Sequence, residues 1–189
     1  MNSESLIFYN VSDSYIEYLL KNGDKKVLFN KPENRTRPYV GFVHKIEGVD
    51  YLVPLSSQIR KTNAVTTVIP NTFTEAQKLE NEKEKKYPEI IATIKFNCMI
   101  PVFPDVIEKI DLDKLSKDKE GQDYKNLLLK EIRFCSDKEN KDRIIKKAEK
   151  TYKICKENKS YMKEIIESCC DFDLLRETMH DYIKNIIIK

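Results

Sequence analysis

The chain is 189 residues long, with 40% hydrophobic residues, 34% charged residues and a formal net charge of only +3. That is enough for one hydrophobic core with solvated helical faces, and it excludes a uniformly basic surface, so a nucleic-acid site has to be a local patch. Mean hydropathy is −0.57, and no apolar run approaches membrane-spanning length.

Leu6–Val11, rich in β-branched and aromatic residues, predicts a strand. Ser12-Asp13-Ser14 then offers an N-cap for a short amphipathic helix carrying Tyr15, Ile16, Tyr18, Leu19 and Leu20, which Asn22-Gly23 ends. Residues 24–36 are polar, contain Pro32 and read as a loop. Tyr39–Ile46 and Val49–Leu55 are two strands joined by Glu47-Gly48, a compact hairpin signal. Val65–Ile69 and Ile90–Phe96 are further strands. Met99–Phe103 continues the pattern after a bulge or turn, and Pro101 puts it at an edge or strand end. Residues 74–87, a run of Glu, Lys and Asn, read as a solvated loop or surface helix.

After Asp111 the periodicity becomes helical. Gly121 or Asp123 precedes an apolar stripe of Tyr124, Leu127, Leu128, Ile132 and Phe134-Cys135. Residues 138–159 repeat it with Ile144, Ile145, Ala148, Tyr152 and Cys155. A third helix over residues 160–169 is expected to bury Met162, Ile165 and Ile166. The last, from Asp173, offers Leu174, Leu175, Met179, Tyr182 and Ile186. Strands first and helices later predict an α+β fold: one domain over residues 1–189, its antiparallel sheet mainly within 6–103 and its helices mainly within 123–188.

Five cysteines (Cys98, Cys135, Cys155, Cys169 and Cys170) are an odd number with no Cys-x-x-Cys pair, and the Met-Asn-Ser-Glu start has no basic and apolar leader. Reduced thiols and a cytoplasmic location are expected. The two histidines, His44 and His180, have no metal-ligand neighbours, so no zinc site is expected. With four glycines there is no Gly-rich phosphate cradle, which disfavours a nucleotide-binding fold. Asp111 and Asp113 near Lys109 and Lys114 read as a loop or cap rather than a metal site.

The most informative stretch is Tyr51-Leu-Val-Pro-Leu-Ser-Ser57 followed by Gln58-Ile59-Arg60-Lys61. An apolar strand ends in two hydroxyls, with two cations close behind, the side chains that hold a phosphate and stabilise charge developing on it. A Ser-Ser pair after a strand is also an ordinary turn.

Placed in order, several segments resemble the ToxN/AbiQ family, RNA-cleaving toxins of type III toxin–antitoxin and phage-abortive systems. They are Phe8-Tyr-Asn-Val-Ser-Asp-Ser-Tyr-Ile-Glu-Tyr-Leu19, Tyr39-Val-Gly-Phe-Val, Tyr51-Leu-Val-Pro-Leu-Ser-Ser57, Met99-Ile-Pro-Val102, Tyr124-Lys-Asn-Leu-Leu-Leu-Lys-Glu-Ile-Arg-Phe134 and Cys170-Asp-Phe-Asp-Leu-Leu175. The resemblance implies a strongly twisted, barrel-like antiparallel sheet flanked by helices. It implies a metal-independent endoribonuclease without a cofactor, inhibited by a tandem-repeat pseudoknot RNA whose precursor it processes and with which it closes into a cyclic assembly.

RNA supplies its own nucleophile, the 2′-hydroxyl, so cleavage to a 2′,3′-cyclic phosphate and a 5′-hydroxyl needs proton transfer and charge stabilisation only. Matched to the family, Tyr15 takes the place of an active-site tyrosine, although a core aromatic is the simpler reading of that position. Arg37 matches a basic residue that clamps phosphate, and Ser56 and Ser57 match the hydroxyl pair. The family's lysine falls at Ile59 here, so Lys61, with Arg60 as its rival, is expected to stabilise the charge. Lys31, Arg35, Lys95, Lys125 and Arg133 are candidates for phosphate contacts along a groove, and Tyr39 and Phe42 for stacking on a base, although alternating aromatics in a strand are more often core. Two alternatives stay open: an RNA-binding module of the same fold with weakened catalysis, and a metal-dependent nuclease using Glu89 and Lys95.

Overall fold

The first half of the chain makes the sheet because short runs of β-branched and aromatic residues recur there, buried continuously at Tyr51–Pro54 and at residues 92–95 rather than alternately. In the computed structural model, which describes residues 6–28, 40–58, 61–71, 89–115 and 117–187, seven antiparallel strands form. These are β1 (Phe8–Val11), β2 (Val40–Ile46), β3 (Val49–Ser56), β4 (Thr66–Pro70), β5 (Ile90–Lys95), β6 (Ile100–Val102) and β7 (Ile107–Lys109). Their order is β4-β5-β3-β2-β1-β7, with β6 also paired to β3. The fold is α+β, as expected, but the sheet ends at β4 and β7 and is open rather than closed into a barrel.

The β2–β3 hairpin turns on Glu47 and Gly48, both at positive φ (48° and 81°), with Ile46 opposite Val49. Two left-handed residues are what a tight hairpin turn demands, because their twist matches that of the strands. The far edge of β3 is shared by β6 and β5 in succession. From Leu52 to Leu55 the partner residue moves from Ile100 to Ile94, so three steps on β3 face six on its partner. The 3₁₀ turn Phe96–Cys98 absorbs the difference. It is the interruption expected before Met99, and it leaves Pro101 on an edge strand.

Among the described residues there are five α-helices: α1 (Asp13–Asn22), α2 (Lys119–Ser136), α3 (Lys138–Glu157), α4 (Lys163–Ser168) and α5 (Phe172–Ile187). α2 starts before Gly121 because the Asp118 carboxylate accepts the Gly121 N–H at 2.7 Å, and Asp137 caps α3 in the same way through Asn140. Left-handed Asn158 ends α3. The Asp111–Asp113 segment is a turn: the Asp111 carboxylate accepts the Asp113 N–H at 3.0 Å.

Three expectations need correction. β7 was not foreseen, being a three-residue strand after a proline. The helix expected over 160–169 is a 3₁₀ turn, Ser160–Met162, followed by the six-residue α4, and Met162, Ile165 and Ile166 are only half-buried. Leu174 is exposed. The side chain of Ile186 and the segment 74–87 lie outside the described residues. The core is one cluster, running from Phe42, Tyr51 and Ile94 of the sheet to Leu128, Ala148, Tyr152 and Leu175 of the helices.

Candidate active site

The site begins where β3 runs out of apolar residues. Tyr51–Pro54 are buried, Leu55 and Ser56 are partly open, and Ser57 and Gln58 are exposed. The chain turns because the Ser56 hydroxyl oxygen accepts the Gln58 backbone N–H at 3.1 Å, a local bond that competes with further strand pairing.

Cross-strand pairs put other polar groups on the same face. Ser56 is opposite Thr93, Thr93 is opposite Val68, and Lys95 is opposite Thr66. Paired residues share a face, and so do residues two apart on a strand. Ser56, Thr93, Lys95 and Thr66 therefore point the same way. The Lys95 ammonium donates to Gln58 Oε1 at 3.4 Å, and the residue is only 8% exposed.

Lys61 is exposed, but its backbone is held. Its carbonyl accepts the Thr66 hydroxyl at 2.9 Å, with Asn63 Oδ1 as the alternative acceptor at 2.8 Å. Lys147 of α3 braces the same strand from behind. Its Nζ donates to the Thr66 carbonyl at 2.6 Å and to Thr67 Oγ1 at 3.0 Å, and it lies 5.7 Å from the centroid of the Phe96 ring. Partial desolvation, then the nearby Lys150, lowers the Lys147 pKa. Sequence reading had no signal for Thr66 or Lys147, since both enter only through the β4–β5 register and the seat of α3.

Among the other candidates, Tyr15 does not join this cluster. It is fully buried, its hydroxyl donates to the Pro101 carbonyl at 2.8 Å, and its ring meets Phe103 and Tyr182 edge-on at 5.8 and 5.0 Å. Burial, and then Tyr182 and Tyr51 beside it, push its pKa far above the tyrosine range. Pro101 pairs with Tyr51, five residues back along β3 from Ser56, or roughly 16 Å at strand rise. Tyr15 is thus the core aromatic that its apolar helix face suggested.

Lys125 is ion-paired to Asp113 at 3.1 Å, and Arg133 stands exposed on the same helix, α2. Neither shares a hydrogen bond with the Ser56–Lys95 cluster among the described residues. Lys31, Arg35, Arg37, Tyr39 and Arg60 lie outside the described residues. No group of three or more His, Cys, Asp or Glu side chains among the described residues is arranged to hold a metal ion.

A strand-end hydroxyl pair beside an enclosed lysine, on an open antiparallel sheet packed with helices, can be compared with known proteins. The family model described as "Toxin ToxN, type III toxin-antitoxin system" matches residues 7–180. The chain belongs to the ToxN family. It is 38% identical to Endoribonuclease ToxN of Bacillus thuringiensis subsp. kurstaki over 96% of this chain and 86% of that protein. It is 28% identical to Endoribonuclease ToxN of Pectobacterium atrosepticum over 94% of each.

Solved structures from type III toxin–antitoxin systems share the fold. One, from work on selective toxin inhibition by a non-coding RNA pseudoknot in type III systems, superposes with a TM-score of 0.74 at 34% identity, covering 95% of this chain and 98% of that one. AbiQ, a lactococcal anti-phage endoribonuclease of a type III system, superposes at 0.69 with 24% identity, covering 96% of this chain and 99% of its own. At that identity the likeness to AbiQ is one of fold.

Proposed function

We propose that this ToxN-family chain is a metal-independent endoribonuclease toxin, cleaving RNA by attack of the substrate's 2′-hydroxyl and leaving 2′,3′-cyclic phosphate and 5′-hydroxyl ends. The observation that carries the reading is the Ser56-Ser57 turn, two hydroxyls at a strand end whose next residue, Gln58, bonds both the Ser56 oxygen and the Lys95 ammonium, in a chain of this family. The donors fit a metal-free route. They are hydroxyls, an amide and ammonium groups rather than the carboxylates that hold Mg²⁺.

Ser56 accepts a hydrogen bond from the Gln58 N–H, so its own proton is free to donate to a phosphate oxygen. Ser57, exposed beside it, is placed for a second such bond or for the 2′-hydroxyl. Lys61 adds positive charge at the mouth of the site, with Arg60 next to it in sequence and Arg37 as a phosphate clamp. Lys31, Arg35, Lys125 and Arg133 extend the phosphate contacts, and Tyr39 stacks on an unpaired base. Tyr15 supports the reaction only by packing α1 on the sheet.

The Bacillus relative bears the name of an endoribonuclease, and the pseudoknot study concerns inhibition of a toxin by RNA. On that basis a repeat-derived pseudoknot RNA binds this toxin directly, is cut by it from a precursor, and closes with it into a cyclic assembly, all in the cytoplasm. Inhibition then follows from occupancy of the groove by the antitoxin's own cleaved end. The shared hydrophobic cluster of sheet and helices supports one toxin domain.

The test is expression in cells. Growth should arrest when the protein is made alone and recover when a short repeat RNA encoded just upstream is supplied, whereas recovery only with a protein partner contradicts the type III reading. RNA binding without cleavage favours the RNA-binding module, which the Ile59 replacement of the family's lysine motivates. Cleavage abolished by EDTA favours the metal route through Glu89.

A further inference from the structure

Resting on the endoribonuclease reading, we infer that Lys95, rather than the exposed Lys61, is the catalytic cation that stabilises charge on the scissile phosphate, and that Gln58 presents it. The inference starts from burial. Lysines are almost never enclosed unless paired with a carboxylate, because losing water around an ammonium is costly. Lys95 is 8% exposed, has no ion-pair partner among the described residues, and donates to a neutral side-chain amide, Gln58 Oε1, at 3.4 Å, with its charge also felt by the Cys98 thiol.

Position supplies the rest. Thr93 is directly opposite Ser56, and Lys95 is two residues further along the same face of β5. That diagonal separates residues by roughly 7–8 Å, the span that a phosphate bridging a hydroxyl and a lysine head fills. Gln58 binds both ends of the arrangement. Its backbone N–H fixes the Ser56 oxygen and its side-chain oxygen receives the Lys95 ammonium.

Gln58, which receives the Lys95 ammonium, is itself exposed, so the cation is held beside solvent before substrate arrives. A pre-placed charge in a partly dry site stabilises a developing anion more than a solvated one does, because little reorganisation is left at the moment of reaction. Lys61 has the opposite character, an anchored backbone with a side chain in water. The departure at Ile59 then has a structural answer. The cation comes from the neighbouring strand instead of from the turn.

The experiment is steady-state RNA cleavage in EDTA by the wild type, Lys95→Met, Lys95→Arg, Lys61→Ala and Gln58→Glu, with a thermal melt of each. Lys95→Met keeps the apolar stem and is expected to lower kcat by about 10²–10³-fold with KM nearly unchanged, the loss typical of one charge-stabilising donor. Lys95→Arg is expected to restore part of kcat, and Lys61→Ala to act mainly on KM.

Gln58→Glu places a carboxylate against the ammonium and is expected to lower kcat, with no further loss when combined with Lys95→Met. A folded Lys95→Met with kcat like the wild type, or with only KM changed, overturns the inference. If Lys95→Met does not fold, an unchanged kcat in Gln58→Glu overturns it, since Gln58 is exposed and its substitution spares the core. A wild type that leaves RNA intact contradicts the endoribonuclease reading itself, a different outcome from cleavage that ignores Lys95.

Discussion

Lys147 Nζ reaches out of α3 to the carbonyl of Thr66 at 2.6 Å, so the helix layer holds β4 by a charged donor rather than by apolar contact alone. Thr66 pairs with Lys95 and its hydroxyl lies against the Lys61 carbonyl, so this bond tethers the strand that positions both cations. Lys147→Met keeps the stem and removes the donor. It is expected to cost about 1–3 kcal/mol of stability, the range for a hydrogen bond to a charged group, measured by urea unfolding.

Tyr15→Phe separates the two roles proposed for that residue. The substitution leaves the Pro101 carbonyl without its donor, so a loss of about 1–2 kcal/mol is expected while kcat on RNA stays near the wild-type value. The folded state raises the pKa of Tyr15 above its ordinary value of 10.0. The unfolded chain therefore releases that proton first, and stability is lost as pH rises beyond 10.0 toward the folded-state value. Tyr51 is raised in the same way, chiefly by burial and then by Tyr152 beside it. The wild type should unfold in alkali above pH 10.0, and Tyr15→Phe should weaken that dependence in a pH series of melts.

Gly41 faces Pro54 across β2 and β3, and a Cβ added there would lie 2.2 Å from the Val53 carbonyl oxygen. Neither the backbone nor Leu52 beside it can give way without breaking the ladder that ends at Ser56. Gly41→Ala is expected to destabilise by roughly 3 kcal/mol or more and to lower the yield of folded protein. Circular dichroism at rising temperature checks it. Gly48 is a milder case, because its need is the positive φ of the hairpin turn and open space surrounds it.

The thiols should differ in reactivity. All five are free, and Cys155 is only half-buried, with its pKa lowered first by a hydrogen bond from the Cys169 thiol. Cys135 is fully buried, and burial pushes its thiol far up. Iodoacetamide at neutral pH is expected to label Cys155 first and Cys135 last in the native protein, as read by peptide mass spectrometry. Early labelling of Cys135 would contradict the packing of α2.

Legibility followed the range of the interactions. The β2–β3 hairpin was readable because Glu47-Gly48 carries its own backbone requirement, and α3 because its apolar period persists over many turns. β7 escaped because a three-residue strand is defined by its partner β1 rather than by its own pattern. In the site, the hydroxyl pair could be read from the end of an apolar run. Lys95 appeared only as one groove cation among several. Its burial and its link to Gln58 depend on how β5 registers with β3 and β4, a relation between segments far apart in sequence. The place of Tyr15 was hidden for a related reason, since a helix face shows that an aromatic points inward but not that its hydroxyl ends on Pro101.

The most direct test of the account is incubation of the purified protein with RNA in EDTA, alongside Ser56→Ala, Ser57→Ala and the double variant, with the chemistry of the new ends determined. The wild type should cleave and leave 2′,3′-cyclic phosphate and 5′-hydroxyl ends. The double variant should retain its fold and lose activity by about 10²-fold or more, the scale set by losing hydrogen bonds that strengthen as charge develops. A double variant that melts and cleaves like the wild type would contradict the placement of the active site at this turn.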